Sequence, residues 1–166
     1  MLVTTHVLSG ALIGAVTRKP LPALLLGVAS HFVLDAAPHW GGWANPQQFL
    51  RVAVPDGLAG LAAIGIVTAA TPPQHRLALL AGMAGAAAPD LDKPARLWFG
   101  RSPWPAAVNR FHAAIQHESP DRFRAEMIVM ATLAAVLAAV RGQAAVRVKR
   151  PSELSGGRVK RRAPAG

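Results

Sequence analysis

The chain has 166 residues, of which 52% are hydrophobic and 16% charged, with a formal net charge of +10. A mean hydropathy of +0.30 is high for a soluble chain of one-domain length. Cysteine is absent, which excludes disulfides, thiolate metal sites and cysteine nucleophiles.

Five apolar segments follow one another, and all read as helices: they are rich in Ala and Leu, longer than typical strands, and bounded by Pro, Gly or charge. No stretch alternates with a strand period. The first segment runs from about Leu2 to Thr17 and ends at Arg18-Lys19-Pro20. No basic residue precedes it, so it is expected to stay as a first helix and not to be removed as a leader. The second runs from about Leu21 to Ala37, the third from Asp56 to about Thr71, and the fourth from about Arg76 to Ala88. Residues Leu91 to Arg124 are different, because Trp98, Phe99, Trp104 and Phe111 alternate there with Arg96, Arg101, Arg110 and Arg122. That mixture suits a membrane interface, and Pro105 to Glu118 reads as an amphipathic helix. The fifth apolar segment covers about Ala125 to Val140, and residues 142–166 read as a disordered basic tail.

Each segment is shorter than the roughly 20 residues that cross a bilayer comfortably. Yet Leu58–Thr71 and Met127–Val140 lack the charged stripe that a soluble surface helix carries. Small residues recur at Gly10 and Gly14, Gly57 and Gly60, and Gly82 and Gly85, which favours close helix packing in lipid. The expected architecture is all-α: a compact integral membrane bundle of four or five apolar helices in residues 1–141, with residues 91–124 at the interface. Eight of the 18 basic residues lie after Val140. Because the charge flanks apolar segments, it points to topology and anionic lipid and away from nucleic acid. Arg18, Lys19, Arg76 and the tail share one side, so the positive-inside rule puts the tail in the cytoplasm of a multi-pass inner-membrane protein.

The run from Ser30 to Trp40 carries the chemistry. His31 and Asp35 are four apart, on one helical face. His39 would be a third rung, but Pro38 ends the helix before it. If the first four helices alternate across a bilayer, His6, His31, Asp35, His39, Asp56, Asp90 and Asp92 all fall on one side, joined by His112 and His117 from the following loop. His75 and Asp121 are left over, the former on the opposite side. A cluster of imidazoles and carboxylates without sulfur suits Zn²⁺, with Mn²⁺ or Fe²⁺ as alternatives. A divalent metal there would lower the pKa of bound water for hydrolysis.

Each residue also has a plainer reading. His6 is a ligand or a hydrogen-bonded helix residue; His31 with Asp35 binds metal or forms an ion pair between helices. His39 with Trp40 is a ligand or an interfacial anchor. Asp56 is a ligand or the N-cap of the third helix. Asp90 and Asp92 face one site from an extended segment, or are solvated carboxylates in a turn. His112 and His117 sit about 140° apart around a helix, so they do not share one site, and His112 is the better candidate. Glu118 is a candidate general base.

Taken together, the N-terminal Thr5-His6 on an apolar helix, Ser30-His31-x3-Asp35-x2-Pro38-His39 and Pro89-Asp90-Leu91-Asp92 resemble a prokaryotic family of small multi-spanning proteins, the membrane-bound metal-dependent hydrolases. The resemblance covers about residues 1–120. It implies metal at His6, His31, Asp35, Asp90 and Asp92, with His39 and Asp56 matching less closely. The expected function is hydrolysis of an ester or phosphoester near the membrane surface, with membrane lipid as partner. The alternative is a non-catalytic membrane protein whose His/Asp cluster is structural and whose tail docks on anionic lipid or a partner.

Overall fold

Proline sets most of the helix starts. The computed structural model describes the backbone of residues 1–156 and the side chains of residues 1–143. Helix α1 spans Val3–Thr17, α2 Pro20–Ala36, α3 Pro46–Ala69 and α4 Pro73–Ala87. Pro20, Pro46 and Pro73 each occupy the first turn, where a missing N–H costs nothing. A 3₁₀ turn at Ala88–Leu91 leads into α5 (Asp92–Phe99), followed by α6 (Ala106–Ile115) and α7 (Phe123–Gly156). The all-α expectation holds.

Three boundaries differ from the sequence reading. The third helix begins at Pro46, ten residues before Asp56, and carries Pro55 in its interior. Its true start signal is Asn45, whose side chain accepts the Gln48 N–H at 2.9 Å. Two three-residue strands, β1 (Pro38–Trp40) and β2 (His117–Ser119), pair in parallel, where no strand was expected. They are too short for any periodicity to announce them. Helix α7 continues to Gly156, so residues 142–156 are helical and not an irregular tail; residues 157–166 lie outside the described residues.

The interior is built by α1, α2 and α4, which pack backbone to backbone. A Cβ on Gly10 or Gly27 would overlap the Gly82 carbonyl oxygen, and one on Gly85 would overlap that of Leu24. Glycine at these crossings lets the helices approach more closely than any side chain permits. Val7, Leu8, Ala11, Leu79 and Met83 fill the core beside them, joined by Val67 of α3 and Leu137 of α7.

Helices α3 and α7 lie outside this trio. Among the described residues, two segments are long and apolar enough to cross a membrane: Pro46–Ala69, with mean hydropathy 1.7, and Pro120–Gln143, with 1.9. Only 11% of each is buried within the chain. The apolar helices α1 and α2 have 15 and 17 residues, short of a full span.

Both long helices hold the start of α1 through carboxylates. Asp56 accepts the Val3 and Thr4 N–H groups at 2.6 and 3.2 Å. Glu126 of α7 accepts the Leu2 N–H at 3.1 Å and the Thr5 hydroxyl at 2.7 Å. The first N–H groups of a helix have no partner within it, and its N-terminus carries partial positive charge. Two carboxylates answer both needs, and they seat His6 one turn further into the interior.

A candidate metal centre

Helix α2 supplies His31 and Asp35 as successive rungs of one face, both fully buried. The tight α2–α4 crossing brings the end of α4 alongside them, and the 3₁₀ turn then presents Asp90. Helix α6 reaches the same point because Phe111 packs edge-on against Phe32 at 5.3 Å, which turns His112 inward. The Trp104 indole N–H, donated to the Pro89 carbonyl at 3.1 Å, ties the loop before α6 to that turn. One ligand atom from each of His31, Asp35, Asp90 and His112 lies within 4.8 Å of all the others.

Asp35 is the hub. Its Oδ1 meets the Met1 amino group at 3.0 Å and His6 Nε2 at 3.1 Å. Its Oδ2 lies 2.9 Å from His112 Nε2 and 3.3 Å from His31 Nε2. The His31 Nδ1–H donates to the Ala86 carbonyl at 2.8 Å, which assigns the proton to Nδ1. The Nε2 of neutral His31 is then a bare lone pair. It faces His112 Nε2 at 3.0 Å and the carboxylates of Asp35 and Asp90, the latter at 3.9 Å. Protons on the imidazoles, the Gln116 amide 2.9 Å from His112 Nε2 and the Lys93 ammonium 2.8 Å from Asp90 Oδ1 ease this crowding in part, and a cation at the centre would ease it as well.

The residues therefore fit a divalent metal on two grounds. The donor set is two imidazole nitrogens and two carboxylate oxygens, and a backbone carbonyl orients one imidazole, as is usual for metal ligands. The recorded edges of the group run from 2.9 to 3.9 Å. Four ligands at zinc-like bond lengths would lie roughly 3.3 Å apart.

The other expected ligands are placed around this group. His6 is buried and stacks on His31 with ring centroids 4.0 Å apart, but it reaches the centre through Asp35. Asp56 is corrected: it lies within α3, and both its oxygens are taken by the start of α1, so it neither joins the cluster nor caps its own helix. Asp92 opens α5 and pairs with Arg96 at 3.5 Å.

His39 and Glu118 form a neighbouring pair. Pro38 ends α2, and the β1–β2 register then sets His39 opposite Glu118. The buried His39 Nδ1–H donates to Ala37 at 2.9 Å, while its Nε2 has no hydrogen-bond partner among the described residues and lies 3.7 Å from Glu118 Oε1. Glu118 Oε2 accepts the Gly42 N–H at 3.1 Å. Gly41 permits this approach, because a Cβ there would press on the Glu118 carboxyl group. The His39 ring beside it holds the Glu118 carboxyl below its ordinary pKa, against the upward push of partial burial, and Lys93 adds to the lowering. His117 lies on the surface, its Nδ1–H donated to Ala36.

Sequence reasoning passed over three participants. Glu126 is the lone acidic group at the head of the fifth apolar segment, on the side where the His and Asp residues gather, and that position was the available signal. Lys93 places its ammonium 2.8 Å from Asp90 Oδ1. Burial weakens the ionised form of each, but their mutual attraction prevails, holding Asp90 below and Lys93 above its ordinary pKa. Gln116, one turn after His112, sets its amide 2.9 Å from the His112 Nε2. No protein-family model, curated protein or solved structure matches the chain.

Proposed function

We propose that the chain is a membrane-embedded, metal-dependent hydrolase acting on an ester or phosphoester close to the lipid surface. The observation that carries this reading is the convergence of His31, Asp35, Asp90 and His112 in a buried group. Buried imidazoles and carboxylates are costly in an apolar bundle unless hydrogen bonds, opposite charges or a cation partner them. A divalent cation held there, Zn²⁺ by its donor set and Mn²⁺ or Fe²⁺ next, supplies Lewis-acid activation of water.

The protein's own groups have distinct parts. His31, Asp35, Asp90 and His112 hold the cation. His6 and the Ala86 carbonyl orient Asp35 and His31. Glu118, fixed by the Gly42 N–H and facing the same cavity as His112, accepts the proton. In this reading α3 and α7 cross the inner membrane and the shorter α1, α2 and α4 are embedded between them, with the C-terminal tail in the cytoplasm.

One observation favours a second reading, a structural polar lock without catalysis. Asp35 and Asp90 already have cationic partners in the Met1 amino group and Lys93. Metal analysis of the detergent-purified full chain separates the two. The hydrolase reading expects about one equivalent of metal or more, lost in His31→Asn and Asp90→Asn, while the helical circular dichroism is kept. Metal-free wild-type protein, or metal retained in both variants, would favour the lock.

A further inference from the structure

Beside the cluster lies a cavity of about 630 Å³, lined among others by Asp92, Lys93, Arg96, Asn109, His112 and Glu118. His112 is the shared wall: it belongs to the buried group and also faces the cavity. Two cations stand at this mouth, and α5 presents both. Lys93 reaches back three residues to Asp90, and Arg96 reaches back four to Asp92 at 3.5 Å. The pairs are unequal. The Arg96 side chain is 54% exposed, so its pairing with Asp92 is weak and its guanidinium is free to take another anion. The Lys93 side chain is 29% exposed, and its carboxylate partner is one of the four residues of the proposed metal centre.

That double use of Asp90 has a consequence. When a divalent cation takes Asp90, the carboxylate's charge is spent and the Lys93 ammonium sits close to a like charge. An ammonium so placed is drawn to another anion, and the cavity already offers the carboxylates of Asp92 and Glu118 before any ligand enters. Lys93 already borders the cavity, where Arg96 offers a second set of donors. A neutral carboxylic ester brings no charge to meet them, whereas the oxyanions of a phosphoester meet both. We propose that Lys93 is an exchange residue: it holds Asp90 until a metal binds there, then turns into the cavity and, with Arg96, binds the phosphoryl oxygens of a phosphoester substrate. This rests on the hydrolase reading and narrows its substrate to the phosphoester class.

The test uses the full chain in detergent and in nanodiscs, with calorimetric titration of Zn²⁺ or Mn²⁺ and then of inorganic phosphate. Wild-type protein is expected to bind phosphate only once loaded with metal. Lys93→Met removes the cation that competes for Asp90, so metal should bind about tenfold tighter while phosphate binds about tenfold more weakly. Lys93→Arg should keep phosphate binding within a few-fold, which guards against a folding defect in the methionine variant. Arg96→Gln should weaken phosphate by a few-fold and leave metal affinity unchanged. The source of the phosphoryl group is read by competition. Displacement by phosphatidic acid in nanodiscs assigns a lipid headgroup, and displacement by p-nitrophenyl phosphate alone assigns a soluble ester. Failure of both to displace phosphate would overturn the inference, as would metal and phosphate affinities untouched by Lys93→Met. Wild-type protein that takes up no metal sinks the hydrolase reading along with it. Metal-loaded protein that cleaves p-nitrophenyl acetate but binds no phosphate sinks this inference alone.

Discussion

Helices α1, α2 and α4 and the long helices α3 and α7 are differently used. The first three press their backbones together through Gly10, Gly27, Gly82 and Gly85, and they carry His6, His31 and Asp35 within the bundle. The long pair bury only 11% of their apolar windows and expose Leu58, Leu61, Ile66 and Ile128. Tight packing serves to fix a polar constellation, while exposed apolar length deals with the surroundings. The two sets meet where Asp56 and Glu126 cap α1. Neither of those carboxylates sits in the candidate metal group, yet both fix the helix that brings His6 to Asp35.

The largest break in this comparison should come at Gly82. Any side chain there meets the Gly10 carbonyl oxygen and the α1 backbone, which cannot yield as a flexible side chain would. Gly82→Val is expected to abolish the native fold, or to cost on the order of 3 kcal/mol or more by forcing the helices apart. Loss of a cooperative thermal transition in detergent is the readout; a Tm within a few degrees of wild type would mean that the crossing is looser than described.

Next in size are the caps. Asp56→Ala leaves two partly buried N–H groups of α1 without acceptors, and each lost partner costs about 1 kcal/mol or more. Glu126→Ala should have a comparable effect through Leu2 and Thr5. Because both changes loosen the same turn, the double variant should cost less than the sum of the two. Strict additivity in a double-mutant cycle would contradict a shared turn.

How much of this could be read from residues alone depended on the range of the interaction. Apolar runs and proline stops revealed the helices, since those signals are local. The i, i+4 spacing joined His31 to Asp35, and counting sides of a membrane gathered Asp90 and His112 with them. Asp56 was misread because Pro55 looks like a break, whereas α3 absorbs it and begins at the Asn45 cap. The β1–β2 pair joins residues 79 positions apart in three-residue strands, so the His39–Glu118 meeting left no periodic trace. Lys93 was passed over because its role depends on the 3₁₀ turn that folds it back over Asp90.

A smaller effect should appear at the β1–β2 pair. The Glu118 carboxyl is held below the ordinary glutamate value of 4.5, so the folded state favours its ionised form. Stability from this group is then fully present above about that pH and lost as pH falls through the lower, folded value. The protection factors of the Gly41 and Gly42 amides, measured against the intrinsic exchange rate at each pH, should fall in this acid range in wild-type protein. In Glu118→Gln the same amides should be less protected near neutral pH and should respond less to acid. Equal acid responses in the two proteins would detach Glu118 from the pair.

The smallest change has the opposite sign and bears most directly on the comparison. Gly65 lies in α3 with nothing among the described residues within 4 Å of where a Cβ would stand. Alanine there adds no clash and reduces the backbone freedom lost on folding, so Gly65→Ala should stabilise the chain by up to about 1 kcal/mol. The same substitution at Gly82 meets backbone and should be severely destabilising. Since both glycines occupy helix interiors, intrinsic propensity is nearly cancelled between them and the difference measures packing alone. If Gly65→Ala also lowers Tm by several degrees, some partner covers the exposed face of α3, and that face would then belong to an interface and not to lipid.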